Sequence, residues 1–404
     1  MNQYQQYIAL SRYARWIPEE NRRETWKETV ERYMTNVVSD KVSKDIYKQL
    51  EDAIHSLNVM PSMRAMMTAG AAMERDNTCA YNCSYLAVDD PKCFDEAMFI
   101  LLCGTGVGFS VERQYISKLP EVPDELYKSD TTIVVSDSKE GWAKSLRQLI
   151  SLLYAGEIPK WDTHKVRPAG AKLKTFGGRA SGAEPLEDLF RFTCETFVAA
   201  KGKKLSSIQS HDLMCKIGEV VVVGGVRRSA MISLSNLSDD RMRHAKSGDW
   251  FVLNPQRALS NNSVSYTEKP DMETFLREWT ALVESKSGER GIFSRVASKK
   301  QAAKNGRREP DHDFGTNPCS EIILRPNQFC NLTEVVVRYD DNLETLTEKV
   351  RLATILGTIQ ATYTKFPYLR KIWQKNTEEE RLLGVSMTGI MDNKLVSTNK
   401  GAKE

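Results

Sequence analysis

Residues 316–336, TNPCSEIILRPNQFCNLTEVV, decide the fold. Pro318 disfavours helix at Asn317, so Asn317, Cys319 and Glu321 occupy alternate positions of an extended segment and project to one side. An amide, a thiol and a carboxylate aligned on a loop tip suit chemistry, although the same residues also suit a turn that buries one small thiol. Eleven residues after Cys319, Cys330 lies in FCNLTEVVVRY, whose β-branched and aromatic residues predict a strand. EIIL (321–324) predicts another.

Working outward, SYLAV after Cys83 predicts a buried strand that starts at Cys83 and is closed by Asp89, Asp90 and Pro91. FDEAMFILLC (94–103) predicts an apolar helix running into the glycine-rich GTGVGFSVE. Asp137 and Ser138 precede a helical stripe of Trp142, Leu146, Leu149, Ile150 and Leu153, where an aspartate can cap the helix or hold a ribose. VRPAGAKLKTFGGRASGAEP (166–185) is too basic and too rich in Gly and Pro for a simple turn. Leu186–Ala200 predicts a helix with KGKK as its solvated end. EVVVV (219–223), AMISLS, GIFSR and LLGVSMTGIM predict strands, and the GGVRRS segment predicts a turn. MRHAKSGDW, METFLREWTALVESK and Leu343–Phe366 predict helices, and KKQAAKNGRR a loop. Alternating strands and helices indicate an α/β class with a parallel sheet or barrel. Residues 1–57 form a helical amino-terminal arm, with Trp26, Val30, Tyr33 and Met34 at helical spacing, and 58–404 a single large domain.

The chain has 404 residues, with 57 Lys plus Arg against 53 Asp plus Glu, a balance too even to imply a nucleic-acid partner by itself. The basic runs KGKK and KKQAAKNGRR keep nucleic-acid binding as a weak rival. Near-average composition argues against disorder, collagen and coiled coil. No window approaches 18 consecutive apolar residues and the amino terminus lacks a signal-peptide layout, so a cytoplasmic protein without membrane contact is expected. None of the eight cysteines forms a C-x-x-C pair, and no metal site is expected. Cys93, Cys103, Cys194 and Cys215 sit in apolar helical contexts and suit buried packing.

NPCSEIIL with FCNLTEV resembles the finger loop and adjoining strand of ribonucleotide reductases, and YNCSYLAV resembles the strand bearing their first redox cysteine. DSKEGWA, VRPAGAKLKTFGGRASG and GGVRRSA follow in the same order, resembling the effector-binding helix start and two specificity loops of the adenosylcobalamin-dependent (class II) branch. The resemblance spans Pro61 to Asp392. It implies a ten-stranded α/β barrel with a finger loop, of which this chain carries the first part.

Carried over by position, the resemblance makes Cys319 the thiyl radical, Glu321 the acid–base group and Asn317 the residue orienting the sugar hydroxyls. Cys83 and Cys330 become the redox pair, with Cys79 as the nearest rival to Cys83. All three active-site cysteines are expected in one buried pocket. Asp137 and Ser138 would hold the ribose of a deoxynucleotide effector, and Lys172, Lys174 and Arg179 its phosphates. Gly224, Gly225, Arg227, Arg228 and Ser229 would form the loop between effector and substrate.

The implied cofactor is adenosylcobalamin, or none in this chain if a separate metal-containing subunit delivers the radical, as in class I. The implied partners are a ribonucleotide substrate, a thioredoxin-like reductant and a second copy in a homodimer. Family members continue past GVSMTGIM, so a carboxy-terminal reductase fragment is also expected to close the barrel. The rivals within the fold are an inactive nucleotide-binding relative and a glycyl-radical relative, for which STNKGAKE offers only Gly401.

Overall fold

The computed structural model describes residues 1–171, 179–223 and 230–398. The chain divides into two units, one formed by Met1–Asn82 with Phe329–Glu404, the other by Cys83–Gln328.

The first unit opens with helix Gln3–Ile8, followed by a short antiparallel pair, β1 (Trp16–Ile17) and β2 (Arg22–Arg23). Helices Trp26–Tyr33 and Lys44–His55 follow, capped by Thr25 and Ser43, and bury Val30, Tyr33, Leu50 and Ile54. β3 (Val59–Met60) and the short helices Met63–Thr68 and Ala71–Arg75 complete this amino-terminal part.

The second unit contains β4 (Cys83–Ala87), β5 (Gly106–Ser110), β6 (Tyr127–Val134), β7 (Glu157–Asp162), β8 (Met231–Asn236), β9 (Asn261–Tyr266), β10 (Gly291–Ser294), β11 (Gly315–Thr316) and β12 (Ile323–Leu324). Five of these strands form a wholly parallel sheet in the order β10-β9-β8-β5-β4. Every residue of β4 and β5 is buried, as expected of parallel strands covered on both faces. One face is covered by helices: Phe109 of β5 meets His211 of helix Ser207–Val223. On the opposite face lies the β11–β12 segment, because Tyr85 and Gly108, register partners of β4 and β5, both abut it. β6 and β7 form a separate parallel pair connected through helix Lys139–Tyr154.

The chain then returns to the first unit through β13 (Gln328–Val336), helices Leu343–Gln360 and Lys371–Glu380, and β14 (Leu383–Thr388). β13 pairs parallel with β14 and antiparallel with β3. Tyr81 donates to the Tyr363 carbonyl, and the Asn77 side chain accepts from the Lys365 amide, joining the two ends of the chain.

Several elements differ from the sequence reading. EVVVV is the last turn of helix Ser207–Val223, not a strand, because Leu213, Met214, Ile217, Val220 and Val221 are all buried and tertiary packing outweighs β-propensity. Lys299 to Ala303 belong to helix Arg295–Ala303, and only Arg243 and residues before it in the MRHAKSGDW region are helical until Trp250. The helix begun at Leu343 stops at Gln360. Strand β4 begins at Cys83 as read.

Candidate active site

The segment that carries Cys319 crosses the sheet on the face opposite helix Ser207–Val223 along a defined path. At its start the Phe314 carbonyl accepts from Arg295 Nε at 3.0 Å. Beyond it the backbone passes so close to the strands that only glycine fits. A Cβ on Gly108 would overlap the Thr316 carbonyl oxygen, and one on Gly315 would overlap the Tyr85 ring. The return limb is fixed by the Asn327 amide donating to the Tyr85 carbonyl at 2.8 Å. Both limbs therefore rest on β4.

Asn317 organises the tip. It is fully buried, and its Oδ1 accepts from the Ile322 amide at 3.0 Å while the Asn317 carbonyl accepts from the Ser320 amide at 3.0 Å. Its Nδ2 lies 3.4 Å from the Sγ of Cys83, the first residue of β4. One amide thus closes the 317–322 turn and docks it on the thiol. Ser320 adopts φ 68°, a left-handed conformation that folds the turn back on itself.

Cys319, Ser320 and Glu321 are exposed. Within its unit Asn317 takes the inward position, whereas Cys319, expected in a buried pocket, is exposed after the chain has passed Asn317 and before it reverses at Ser320. Cys83 is buried beside Asn317. Cys330 belongs to β13 of the other unit, where it is buried and its thiol donates to the Asn331 carbonyl at 3.3 Å. Cys79 is also buried, its thiol donating to the Asp76 carbonyl at 3.2 Å.

The second candidate site lies where β6 and β7 end. In parallel sheets ligands gather at the carboxyl ends of strands, beside a helix amino terminus. Asp137 follows β6, and Ser138 caps helix Lys139–Tyr154 by accepting from the Gly141 amide at 2.9 Å. Asp137 Oδ2 accepts from Arg167 Nε at 2.8 Å. Arg167 was not singled out in the sequence, although it lies within the quoted VRPAG. Arg179 is exposed and donates to the Gly170 carbonyl at 2.8 Å. Lys172 and Lys174, and all of Gly224, Gly225, Arg227, Arg228 and Ser229, lie outside the described residues.

Two further residues were illegible in the sequence. Arg295 and Glu112 form a buried two-pronged salt bridge, with Nη1 and Nη2 at 2.8 and 2.7 Å from the carboxylate oxygens. Burial pushes the Glu112 carboxyl up, but the Arg295 hydrogen bonds and charge outweigh it and hold the group below its ordinary range. Ser110 Oγ and Gln114 Nε2 also donate to Glu112. Burial raises the nearby Tyr85 hydroxyl well above its ordinary pKa, keeping it protonated.

No family model matches the chain. It is similar to the adenosylcobalamin-dependent ribonucleoside-triphosphate reductases of Lacticaseibacillus paracasei, at 28% identity, and of Lactobacillus acidophilus and Lactobacillus leichmannii, at 29%. Each match covers 94% of this chain and 60% of the relative, so the chain spans about three fifths of the length of the curated relatives it matches. The fold is similar to the crystal structure of a B12-dependent (class II) ribonucleotide reductase, with a TM-score of 0.76 and 25% identity over 95% of this chain and 62% of that one. The resemblance read from the five motifs, and the partial α/β barrel it implied, are thereby borne out.

Proposed function

We propose that this chain is the part of an adenosylcobalamin-dependent ribonucleotide reductase that carries the radical thiol, the finger loop and the effector site. The observation that supports it most is the docking of Asn317 on Cys83, which draws two separate motifs of the resemblance to one point at the amino end of β4.

In this reading Cys319 loses a hydrogen atom and the resulting thiyl removes the 3′ hydrogen of the ribonucleotide. S–H and α-hydroxy C–H bonds are close in strength, so the exchange is reversible. Glu321 takes the 3′ hydroxyl proton, which eases departure of the 2′ hydroxyl as water. Asn317 orients the hydroxyls, and Cys83 and Cys330 end as a disulfide: ribonucleotide and two thiols become deoxyribonucleotide, disulfide and water. The 3′ hydrogen then returns from Cys319.

Adenosylcobalamin, when bound, supplies the homolytic chemistry that takes the hydrogen from a thiol. Cys319 fits such a group because its thiol stands exposed at a loop tip. The relatives' names favour a ribonucleoside triphosphate as substrate. Asp137 and Ser138, beside Arg167, hold the deoxynucleotide effector, and the loop with Arg227 and Arg228 relays its identity. The remaining two fifths of the relatives' length corresponds to a carboxy-terminal reductase segment that completes the enzyme, a thioredoxin-like protein regenerates the thiols, and the enzyme works in the cytoplasm as a homodimer. No helix among the described residues is long and apolar enough to cross a membrane.

The test is ribonucleoside-triphosphate reduction with adenosylcobalamin by the chain together with sequence covering the remaining length of the relatives. Deoxynucleotide formation that vanishes in Cys319→Ala supports the reading; equal activity with and without Cys319 sinks it.

A further inference from the structure

We infer that the buried Glu112–Arg295 pair is a positioning device that sets how far the Cys319 loop reaches across the sheet. The inference rests on the reductase reading for its purpose, but its geometry stands apart from it.

Arg295 and Glu112 are separated by 183 residues in the chain and occupy the same end of the parallel sheet, Glu112 just past β5 and Arg295 just past β10. Two other strands, β8 and β9, lie between β5 and β10, so the pair ties together strand ends that no backbone ladder joins. Both side chains are almost fully buried, at 3% and 0% exposure. A buried ion pair of this kind contributes little net stability compared with apolar residues of the same size, so stability alone does not account for it.

The third donor gives the pair a geometric role. While Nη1 and Nη2 are held by Glu112, the fork of Arg295 has one direction left for Nε, and it points at the carbonyl of Phe314. Phe314 is five residues before Cys319, at the start of the stretch that slides past Gly108 and Tyr85. The ring of Phe314 is fully buried, and the Arg308 guanidinium lies 5.0 Å from its centre. Tyr115, three residues after Glu112, donates to the Asp313 carbonyl at 3.4 Å. The carboxylate therefore fixes the guanidinium, and the guanidinium fixes the backbone atom from which the finger loop departs. A lysine could satisfy Glu112 but not hold this second acceptor at a fixed angle.

The closing experiment compares Arg295→Lys, Arg295→Met and the apolar double variant Arg295→Met/Glu112→Leu. Melting temperature is read beside the rate of alkylation of Cys319 by iodoacetamide, resolved by peptide mass spectrometry. Arg295→Met alone leaves a buried carboxylate unpaired and is expected to lower the melting temperature, while the double variant regains most of it. Positioning predicts that Cys319 alkylation stays altered by about threefold or more in the double variant and in Arg295→Lys, because the Phe314 carbonyl has lost its anchor. In the complemented enzyme kcat should fall by roughly 10- to 100-fold, the scale of a displacement of about 1 Å, with KM little changed.

An alkylation rate that returns to the parental value with the melting temperature overturns the proposal, since the pair would then be structural only. If the single variants do not fold, the double variant decides alone; if it too fails to fold although its apolar side chains match the site in volume, the pair is needed for the fold and the positioning role is rejected. Absence of ribonucleotide reduction in the parental complex, with the alkylation pattern intact, counts against the reductase reading and leaves the positioning role standing.

Discussion

At Cys319 and Glu321 the proposed chemistry separates two kinds of loss. Cys319→Ala removes the atom that carries the radical, so turnover in the complemented enzyme should fall to background, whereas Glu321→Ala should slow it by about 10²- to 10⁴-fold, the usual weight of one acid–base group. Similar mild losses in both would rule out the thiyl role. Asp137 and Arg167 form an ion pair about one-third exposed on each side, and an effector must share or replace it. Asp137→Ala is expected to weaken deoxynucleotide binding by roughly 10-fold or more, the loss of one charged hydrogen bond; calorimetry showing unchanged affinity would remove the site. Asn317 and Cys319 were legible because Pro318 fixes an extended backbone and alternation aligns them. Arg167, Glu112 and Arg295 were not, because a salt bridge between residues 30 or 183 positions apart leaves no local pattern.

Elements were legible where one periodicity dominated. β4 is an apolar run bounded by turn residues, and helix Lys139–Tyr154 has a clear stripe. β6 escaped notice because its YKSDTTIV is mostly exposed and carries no apolar face, and EVVVV misled because four valines suit a strand until a helix is buried around them. At this scale Gly108→Ala and Gly315→Ala should each cost about 1–3 kcal/mol or more by forcing the finger segment off the sheet, which thermal unfolding would record; wild-type stability in both would contradict the close passage. Helix Ser207–Val223 carries a further prediction. His211 is fully buried, and its two ring nitrogens face the acceptors Asp212 Oδ1 and Asn262 Oδ1 at 3.1 and 2.9 Å. Burial disfavours the imidazolium, yet the charge and hydrogen bonds of Cys215 and Asp212 raise the pKa to about 10, above the ordinary 6.5. A raised folded pKa stabilises fully below the unfolded value, so stability should decline between about pH 6.5 and about pH 10, and His211→Gln should flatten that decline. A melting temperature with the same alkaline slope in both proteins would show that His211 is not protonated in the fold.

In the whole molecule the parallel sheet of one unit ends at β10 and the strands of the other end at β14, and among the described residues neither terminal strand has a second neighbour. Met387 and Met391 on and just after β14 are exposed, as is Ile292 on β10. Open edges with apolar neighbours are costly in water and invite pairing. The barrel class was legible from the order of motifs, but the division into two units was not, because no composition shift marks Asn82 or Phe329 as a boundary. That division has a consequence in time. The second unit is one continuous stretch, whereas the first needs both ends of the chain, so on the ribosome its amino-terminal helices must wait while about 250 residues are made, roughly 12–50 s at ~5–20 residues per second. Until Tyr363 and Lys365 emerge, Tyr81 and Asn77 lack the groups they bind in the finished protein. The unit begun first during synthesis is thus completed last, and a chaperone acting on the nascent chain would find its substrate in residues 1–82.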